Sequence, residues 1–195
     1  MKKQLLFWVL TILCIELFSQ TKNRIEFAYS LTDNSLHRNV SLLNGTSSKG
    51  KGSNIFSLRY QRNIFSSFSV ETGFEYSQNI IELSHITDYG QFENETAYIE
   101  MVSIPVYGNF TFLKYFFINA GATIDFELNT FVDQPTDKQS GIGLGFGLGG
   151  KYNFNNLTVF INPFFLEHAV IPFDKAEYQE RIIELGIKFG LGYNF

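Results

Sequence analysis

The chain has 195 residues, enough for one domain, and they include 22 Phe and 10 Tyr. Its formal net charge is −4, and no basic stripe runs along it, so the sequence excludes a nucleic-acid-binding surface. Mean hydropathy is −0.02 although 45% of the residues are hydrophobic, so apolar and polar residues must be interleaved.

The first twenty residues hold the one continuous apolar run of the chain. Lys2 and Lys3 precede the run Leu5–Ile15, which at about eleven residues is too short for a bilayer-spanning helix of ~20 residues. A basic start, a short apolar run and a polar exit predict a cleaved signal peptide over residues 1–20. The only cysteine, Cys14, lies within it, so the mature chain is predicted to have no disulfide or cysteine-based site.

From residue 21 onward, apolar and polar residues alternate with period two, which is typical of strands with two different faces. In the first such segment Ile25, Phe27 and Tyr29 alternate with Glu26 and Ala28. The seventh segment is ambiguous because both of its faces carry aromatic residues. The eight predicted strands cover residues 24–31, 56–61, 68–76, 98–110, 116–127, 141–149, 157–167 and 183–195.

The sixth predicted strand contains a G-x-G-x-x-G match at Gly145, Gly147 and Gly150. A dinucleotide-binding loop needs a strand, a glycine turn and then a helix, whereas the residues after Gly150 lead to a turn at Asn155 and Asn156. The alternation instead predicts a strand whose one face carries only glycines. In the barrel predicted below, this face points into the lumen. The glycines of that face are Gly141, Gly143, Gly145, Gly147 and Gly149.

The connections between predicted strands alternate strictly between long and short. A meander with this rhythm has all long loops at one end and all short turns at the other. The sequence therefore predicts an all-β, eight-stranded antiparallel up-and-down barrel over residues 21–195, with polar, mobile extracellular loops. The predicted long loops are 34–52, 79–96, 129–138 and 169–179, and the predicted short turns are 63–66, 112–114 and 155–156.

Alternation alone leaves open whether the apolar face lines a soluble ligand carrier or meets lipid. The apolar face holds more Phe, Tyr, Ile and Leu than the interior of an eight-stranded barrel accommodates. Aromatic residues also gather next to the short turns, as in the interfacial girdle of membrane barrels. Both features favour a transmembrane barrel in the cell outer membrane, with lipid as its partner.

The last predicted strand carries Tyr193 and Phe195 on its apolar face. They resemble the terminal aromatic signal that the barrel-insertion machinery reads in outer-membrane proteins. We therefore expect that machinery to be a partner of the chain.

The polar face of the strands carries charges as well as glycines. A buried charge is costly unless it is paired, so we expect opposite charges to pair across a narrow lumen. The glycines either widen that lumen into a path for small solutes or make room for Met101, Tyr107 and Phe117. The predicted lumen polar network consists of Arg59, Glu71, Glu75, Asp125, Glu127, Lys151, Glu184 and Lys188.

Three histidines, His37, His85 and His168, fall at or beside the long-loop end. Neighbouring residues of an extended segment point to opposite faces, so the pairs Ser84–His85 and Glu167–His168 are not predicted to act as catalytic units. The expectation is solvated loop histidines, no enzyme activity, and neither a metal nor a cofactor.

The segment SIPVYGNFTFLKYFFINAGATIDF, residues 103–126, resembles the outer-membrane β-barrel family of Bacteroidetes, often labelled PorT-family. The matching residues are Ile104-Pro105-Val106, Lys114 and Asn119-Ala120-Gly121, and the closing IKFGLGYNF fits as well.

The family resemblance implies a porin-like outer-membrane barrel over the whole mature chain. The sequence departs from the family at Ser103, where an acidic residue is usual, and at Asn162, where arginine is common. One branch of the family serves type IX secretion, which implies secretion-system partners. The hypotheses are therefore a structural or small porin-like barrel, a type IX secretion accessory, and a rim-active lipid-modifying enzyme.

Overall fold

The computed structural model describes residues 23–37, 47–86, 92–129, 137–174 and 180–195. The predicted signal peptide and much of the predicted mobile loops lie outside these ranges. No helix within them is long and apolar enough to cross a bilayer. The strands are β1 (Asn23–His37), β2 (Ser47–Asn63), β3 (Phe68–Ile86), β4 (Phe92–Phe112), β5 (Phe116–Glu127), β6 (Gly141–Phe154), β7 (Leu157–Pro172) and β8 (Arg181–Asn194).

The eight strands form a closed barrel in which each strand pairs with the next one in the chain. All pairings are antiparallel, and β8 closes the barrel on β1 from Arg24↔Asn194 to His37↔Arg181. Closure satisfies every strand edge, as lipid requires because it offers no hydrogen-bond partner. The predicted eight-stranded up-and-down barrel is confirmed.

The tight turns lie at one end of the barrel, as the sequence predicted. They occupy 64–67, 113–115 and 155–156. Leu113 and Lys114 have φ values of 50° and 67°, and Asn155 has φ 52°, the left-handed backbone that tight hairpin turns use. In outer-membrane barrels the short turns are periplasmic and the longer loops extracellular, which fixes the two ends.

The strands extend further at the other end than the sequence predicted. The expected loop 34–52 is wrong in extent, because β1 runs to His37 and β2 starts at Ser47. The expected loop 79–96 is wrong for the same reason, since β3 and β4 stay paired out to Ile86↔Phe92. Strands beyond the hydrocarbon layer have water on their outer face, so their ladder continues while the apolar alternation fades.

The apolar face of every strand points outward and the polar face points into the barrel. Phe27, Phe146 and Leu191 are 65%, 55% and 62% exposed on the outside, whereas Arg59 and Glu75 are each 3% exposed inside. This distribution is the reverse of a soluble barrel and matches a wall that faces lipid.

Strand β7, ambiguous from sequence, has its even-numbered residues inside. Asn162, Phe164 and His168 are buried, while Ile161 and Phe165 are exposed outside. Its inward aromatics help to fill the lumen.

Aromatic side chains surround the periplasmic end on the outside. The rings of Tyr115 and Tyr152 stack with centroids 5.9 Å apart, and Tyr152 lies 4.5 Å from Phe154. Tyr193 and Phe195 are exposed in the same belt. Aromatic rings prefer the level of the lipid head groups, so this belt marks the periplasmic surface of the outer membrane.

Candidate functional site in the barrel lumen

The middle of the lumen is occupied by an ion cluster, which we call the central cluster: Arg59, Glu71, Glu75 and Lys188. Four donors converge on Glu75 Oε1: Arg59 Nη2 at 2.6 Å, Arg59 Nε at 3.2 Å, Lys188 Nζ at 2.7 Å and Ser57 Oγ at 2.5 Å. Arg59 also pairs with Glu71. The four charged side chains are 3–4% exposed, and their formal charges cancel.

Neutral side chains hold the central cluster in place. Asn109 Nδ2 donates to Glu71 Oε2 at 2.9 Å. The guanidinium carbon of Arg59 lies 5.4 Å from the centre of the Tyr107 ring, and Lys188 Nζ lies 5.0 Å from the centre of the Phe164 ring. These contacts supply the hydrogen bonds and cation–π partners that buried charges need.

A second buried cluster, the histidine cluster, lies nearer the extracellular end and contains His168, Asp125 and Glu184. His168 Nδ1 lies 2.9 Å from Asp125 Oδ2, and Nε2 lies 3.4 Å from Glu184 Oε2. Ser53 Oγ donates to Glu184 Oε1 at 2.8 Å, and Thr123 Oγ1 donates to Asp125 Oδ2 at 3.1 Å. The three titratable side chains are 0–1% exposed.

The expectation that His168 is a solvated loop residue is therefore wrong. The reason is that β7 continues to Pro172, so the inward parity of Asn162 and Phe164 also applies at position 168. His37 is exposed at the end of β1, and the side chain of His85 lies outside the described residues. Within the described part of the chain, no group of three His, Cys, Asp or Glu could hold a metal ion.

Two charged residues of the predicted network lie apart from both clusters. Glu127 is at the extracellular end of β5, where its Oε2 accepts a hydrogen bond from the backbone N of Gln139 at 2.7 Å. Lys151 is at the periplasmic end of β6, where its Nζ donates to Thr111 Oγ1 at 2.8 Å. Glu127 and Lys151 therefore lie at opposite ends of the barrel, and the predicted network is spread over its height instead of forming one cluster.

The glycine face of β6 makes room for large side chains instead of widening a channel. A Cβ at Gly145 would collide with the hydroxyl of Tyr107, and one at Gly149 would collide with the ring of Phe117. Tyr107 and Phe117 thus occupy the space as the second alternative expected. The other members of the face are equally crowded, with a Cβ at Gly143 meeting Thr123 and Asp125, at Gly147 meeting Asn119 and Asn162, and at Gly141 meeting the backbone of Ile171 and Pro172.

An apolar cluster fills the lumen on the extracellular side of the polar clusters. It consists of Ile81, Ile99, Met101 and Ile182, which are 0–4% exposed. Met101 belongs here and not beside the glycines. The lumen at this level is filled by these apolar side chains together with the buried Asn79 and Gln139.

Two small spaces lie beside the central cluster. One cavity of about 10 Å³ lies against Glu71, Asn109 and Arg59, and another of about 10 Å³ lies against Glu75 and Lys188. Each volume corresponds to about one water molecule. At the level of the central cluster the lumen therefore offers room for isolated waters but not for a solute.

The periplasmic end opens into a larger cavity of about 570 Å³, which we call the periplasmic cup. Arg24, Lys114 and Lys151 bring positive charge to it. Arg24 is held by Glu26 and by the side chain of Gln61. The remaining lining residues are Asn63, Ser66, Ser67, Phe68, Ser69, Thr111, Asn153, Asn155, Asn156, Asn194 and Phe195.

Sequence reasoning missed several lumen residues that the same signal could have found. Glu26 and Asn109 occupy inward positions by the parity of their strands and are 2% and 3% exposed. In the apolar cluster, Ile81 carried no such signal because it lies in the predicted loop 79–96. Ile99 lies in the predicted strand 98–110 and shares the inward parity of Ser103, so the same signal could have found it.

Solved structures of bacterial outer-membrane barrels resemble the chain. OprG from Pseudomonas aeruginosa matches with TM-score 0.50 and 12% identity, over 89% of this chain and 95% of OprG. Ail of Yersinia pestis matches with TM-score 0.47 and 12% identity, over 90% and 99%. The N-terminal barrel of OprF from Pseudomonas aeruginosa matches with TM-score 0.43 and 12% identity, over 90% and 100%.

No family model and no curated protein matches the sequence. At 12% identity, the likeness to OprG concerns the fold alone. The closed barrel, its apolar exterior and its polar interior agree with that fold. The chain is an outer-membrane β-barrel protein and resides in the outer membrane.

Proposed function

We propose that the chain is a structural or anchoring barrel of the outer membrane whose lumen does not conduct solutes. The observation that carries this proposal is the filled lumen, where the spaces beside the central cluster measure about 10 Å³ each. An eight-stranded barrel is usually just wide enough for its own side chains.

The way the lumen is filled supports a permanent closure over a gated one. To open a path, the chain would have to separate Glu75 from both Arg59 and Lys188 inside the barrel. Breaking such a buried pair costs about 3–5 kcal/mol. It would also have to displace Met101 and Ile182 from the apolar cluster, exposing apolar surface to water.

Conductance across planar bilayers tests the proposal. We expect no stepwise current through the folded wild-type chain. The wild-type chain can open a path only by separating the ions of the central cluster, because its lumen is filled around them. A matched variant with Met101→Ala, Tyr107→Ala and Phe164→Ala removes bulk beside the ion pairs at both filled levels, which opens a path without separating them, so it should conduct. Discrete current steps through the wild-type protein would contradict closure and favour the small porin-like alternative.

The rim-active enzyme is less well supported. Such an enzyme would use a histidine–carboxylate pair at the rim. The pair His168 with Asp125 is instead 0–1% exposed inside the barrel, where a lipid chain cannot reach it. We propose that the chain is not an enzyme. Identical lipid A and phospholipid profiles in strains with and without the gene are expected, and a change that depends on His168 would contradict this.

We also propose, from the resemblance of residues 103–126, that the chain belongs to the PorT-like barrels of Bacteroidetes, and that residues 1–20 are a cleaved signal peptide. The N-terminus of the mature protein, read by mass spectrometry, tests the cleavage. Loss of type IX-secreted proteins on deletion of the gene would replace the anchoring role by an accessory role in secretion.

Recognition by the barrel-insertion machinery is proposed through Tyr193 and Phe195. Both side chains point outward, 53% and 56% exposed. The double variant Tyr193→Ala/Phe195→Ala should slow assembly into the membrane, measured by the appearance of the heat-modifiable folded band in cells. Assembly at the wild-type rate would contradict the proposal.

A further inference from the structure

We propose that the periplasmic cup is a binding site for a phosphate group. The cup is a concave cavity of about 570 Å³ at the end of the barrel that faces the periplasm. Nothing in the anchoring role requires such a cavity.

The cup is built inside the mouth of the barrel, on inward-facing positions of several strands. Arg24 comes from β1, Lys151 from β6 and Asn194 from β8, while Lys114 comes from the turn between β4 and β5. Because neighbouring strands are hydrogen-bonded all round the barrel, the backbone positions of Arg24, Lys151 and Asn194 are fixed relative to one another.

Positive charge in the cup exceeds what the protein itself neutralises. Glu26 lies beneath the cup and pairs with Arg24, which accounts for one cation. The half-buried Lys151 instead donates to the neutral hydroxyl of Thr111 at 2.8 Å, and Lys114 is exposed at the rim. The described residues lining the cup include no Asp or Glu. Glu26 beneath it is shared between Arg24 and Lys151, so the side chains of the cup carry a surplus of positive charge that an anion can meet.

A phosphate group fits this arrangement better than a carboxylate. It carries up to two negative charges and presents oxygens in several directions, which suits donors placed around a bowl. Lysine ammonium groups bind phosphate as point charges, and the hydroxyl and amide groups of Ser69, Thr111 and Asn153 add neutral donors to the same wall.

The phosphate could come from a soluble periplasmic compound or from a lipid head group. Both sources have access. The cup opens to the periplasm, and the belt containing Tyr152 and Phe154 places its rim at the level of the inner-leaflet head groups. The chemistry recognised is the same in both cases, and the experiment separates them.

Calorimetric titration of the full chain, folded in zwitterionic detergent micelles at neutral pH, tests the site. The soluble probes are inorganic phosphate and glycerol phosphate, with acetate at equal ionic strength as the carboxylate comparison. The lipid-borne probe is phosphatidic acid mixed into the micelles. Lys151→Gln and Lys114→Gln remove charge from the cup, and Lys138→Gln removes the same charge from the opposite, extracellular rim, where Lys138 pairs with Asp174 at 3.4 Å.

We expect saturable phosphate binding that Lys151→Gln weakens about tenfold, that Lys114→Gln weakens less, and that Lys138→Gln leaves unchanged. Heat-modifiable gel mobility identifies variants that fold. If Lys151→Gln does not fold, Lys114→Gln alone decides.

Binding of glycerol phosphate assigns a soluble source, and binding of phosphatidic acid alone assigns a head group. Equal responses of all three variants, an equal response to acetate, or no saturable binding of any probe would overturn the proposal.

Discussion

Replacing Glu75 by Gln removes the charge on which the central cluster depends. In the wild-type barrel Glu75 Oε1 accepts from Arg59 Nη2 at 2.6 Å and from Lys188 Nζ at 2.7 Å. The substitution keeps the shape of the side chain but leaves Lys188, which is buried in the lumen, without the carboxylate that it contacts. Removing one partner of a buried ion pair costs about 3–5 kcal/mol, so the free energy of unfolding should fall by that amount.

The assay is urea unfolding of the barrel in lipid vesicles, followed by heat-modifiable gel mobility. The matched control is Glu82→Gln. Glu82 pairs with Lys51 near the extracellular end, and these side chains are 23% and 46% exposed, so its loss should cost only ~0–1 kcal/mol. The double variant Glu75→Gln/Lys188→Met, which also removes the stranded cation, should recover part of the loss. Equal stability of the Glu75 and Glu82 variants would show that the buried ion pairs do not stabilise the barrel.

Three further substitutions test other parts of the barrel by the same unfolding assay. Gly145→Val should prevent or weaken folding because its side chain collides with Tyr107, and Tyr107→Ala should restore it; normal folding of the single variant would contradict the packing. Leu148→Arg places a charge on the lipid-facing wall and should cost about 2–4 kcal/mol, whereas a neutral result would count against lipid contact. His168→Phe removes the imidazole that contacts the buried carboxylates of Asp125 and Glu184 and should cost about 3–5 kcal/mol; wild-type stability would mean that the histidine is not their partner.

The faces of the strands could be predicted from sequence because period two assigns every residue of a paired strand to one side. Ile25 and Phe27 outside and Arg59 and Glu75 inside follow directly from this rule. The rule needs only one unambiguous stretch per strand, since the register of an antiparallel ladder then carries the assignment along. The closing pair β1–β8 followed from the absence of a tolerable edge in lipid.

The ends of the strands and the partners inside the lumen could not be predicted in the same way. Beyond the hydrocarbon layer the pairing of β3 with β4 continues through polar residues, so the signal that marks a strand disappears before the strand does. His168 was misjudged because β7 continues to Pro172, past the predicted end of the strand at residue 167. Lys151 and Arg59 both carry charge on inward positions, but the position of each along the barrel axis decides which carboxylates it meets.

The Phe-rich side of the strands meets lipid, while the other side encloses a filled lumen. The only tryptophan of the sequence, Trp8, lies within the predicted signal peptide, so a single introduced Trp can report on each side. In vesicles containing brominated lipid, the fluorescence of Phe146→Trp, on the outward face, should be strongly quenched. That of Phe164→Trp, in the lumen, should be nearly unaffected. Equal quenching of both, or stronger quenching of the Phe164 variant, would mean that the Phe-rich side does not face lipid.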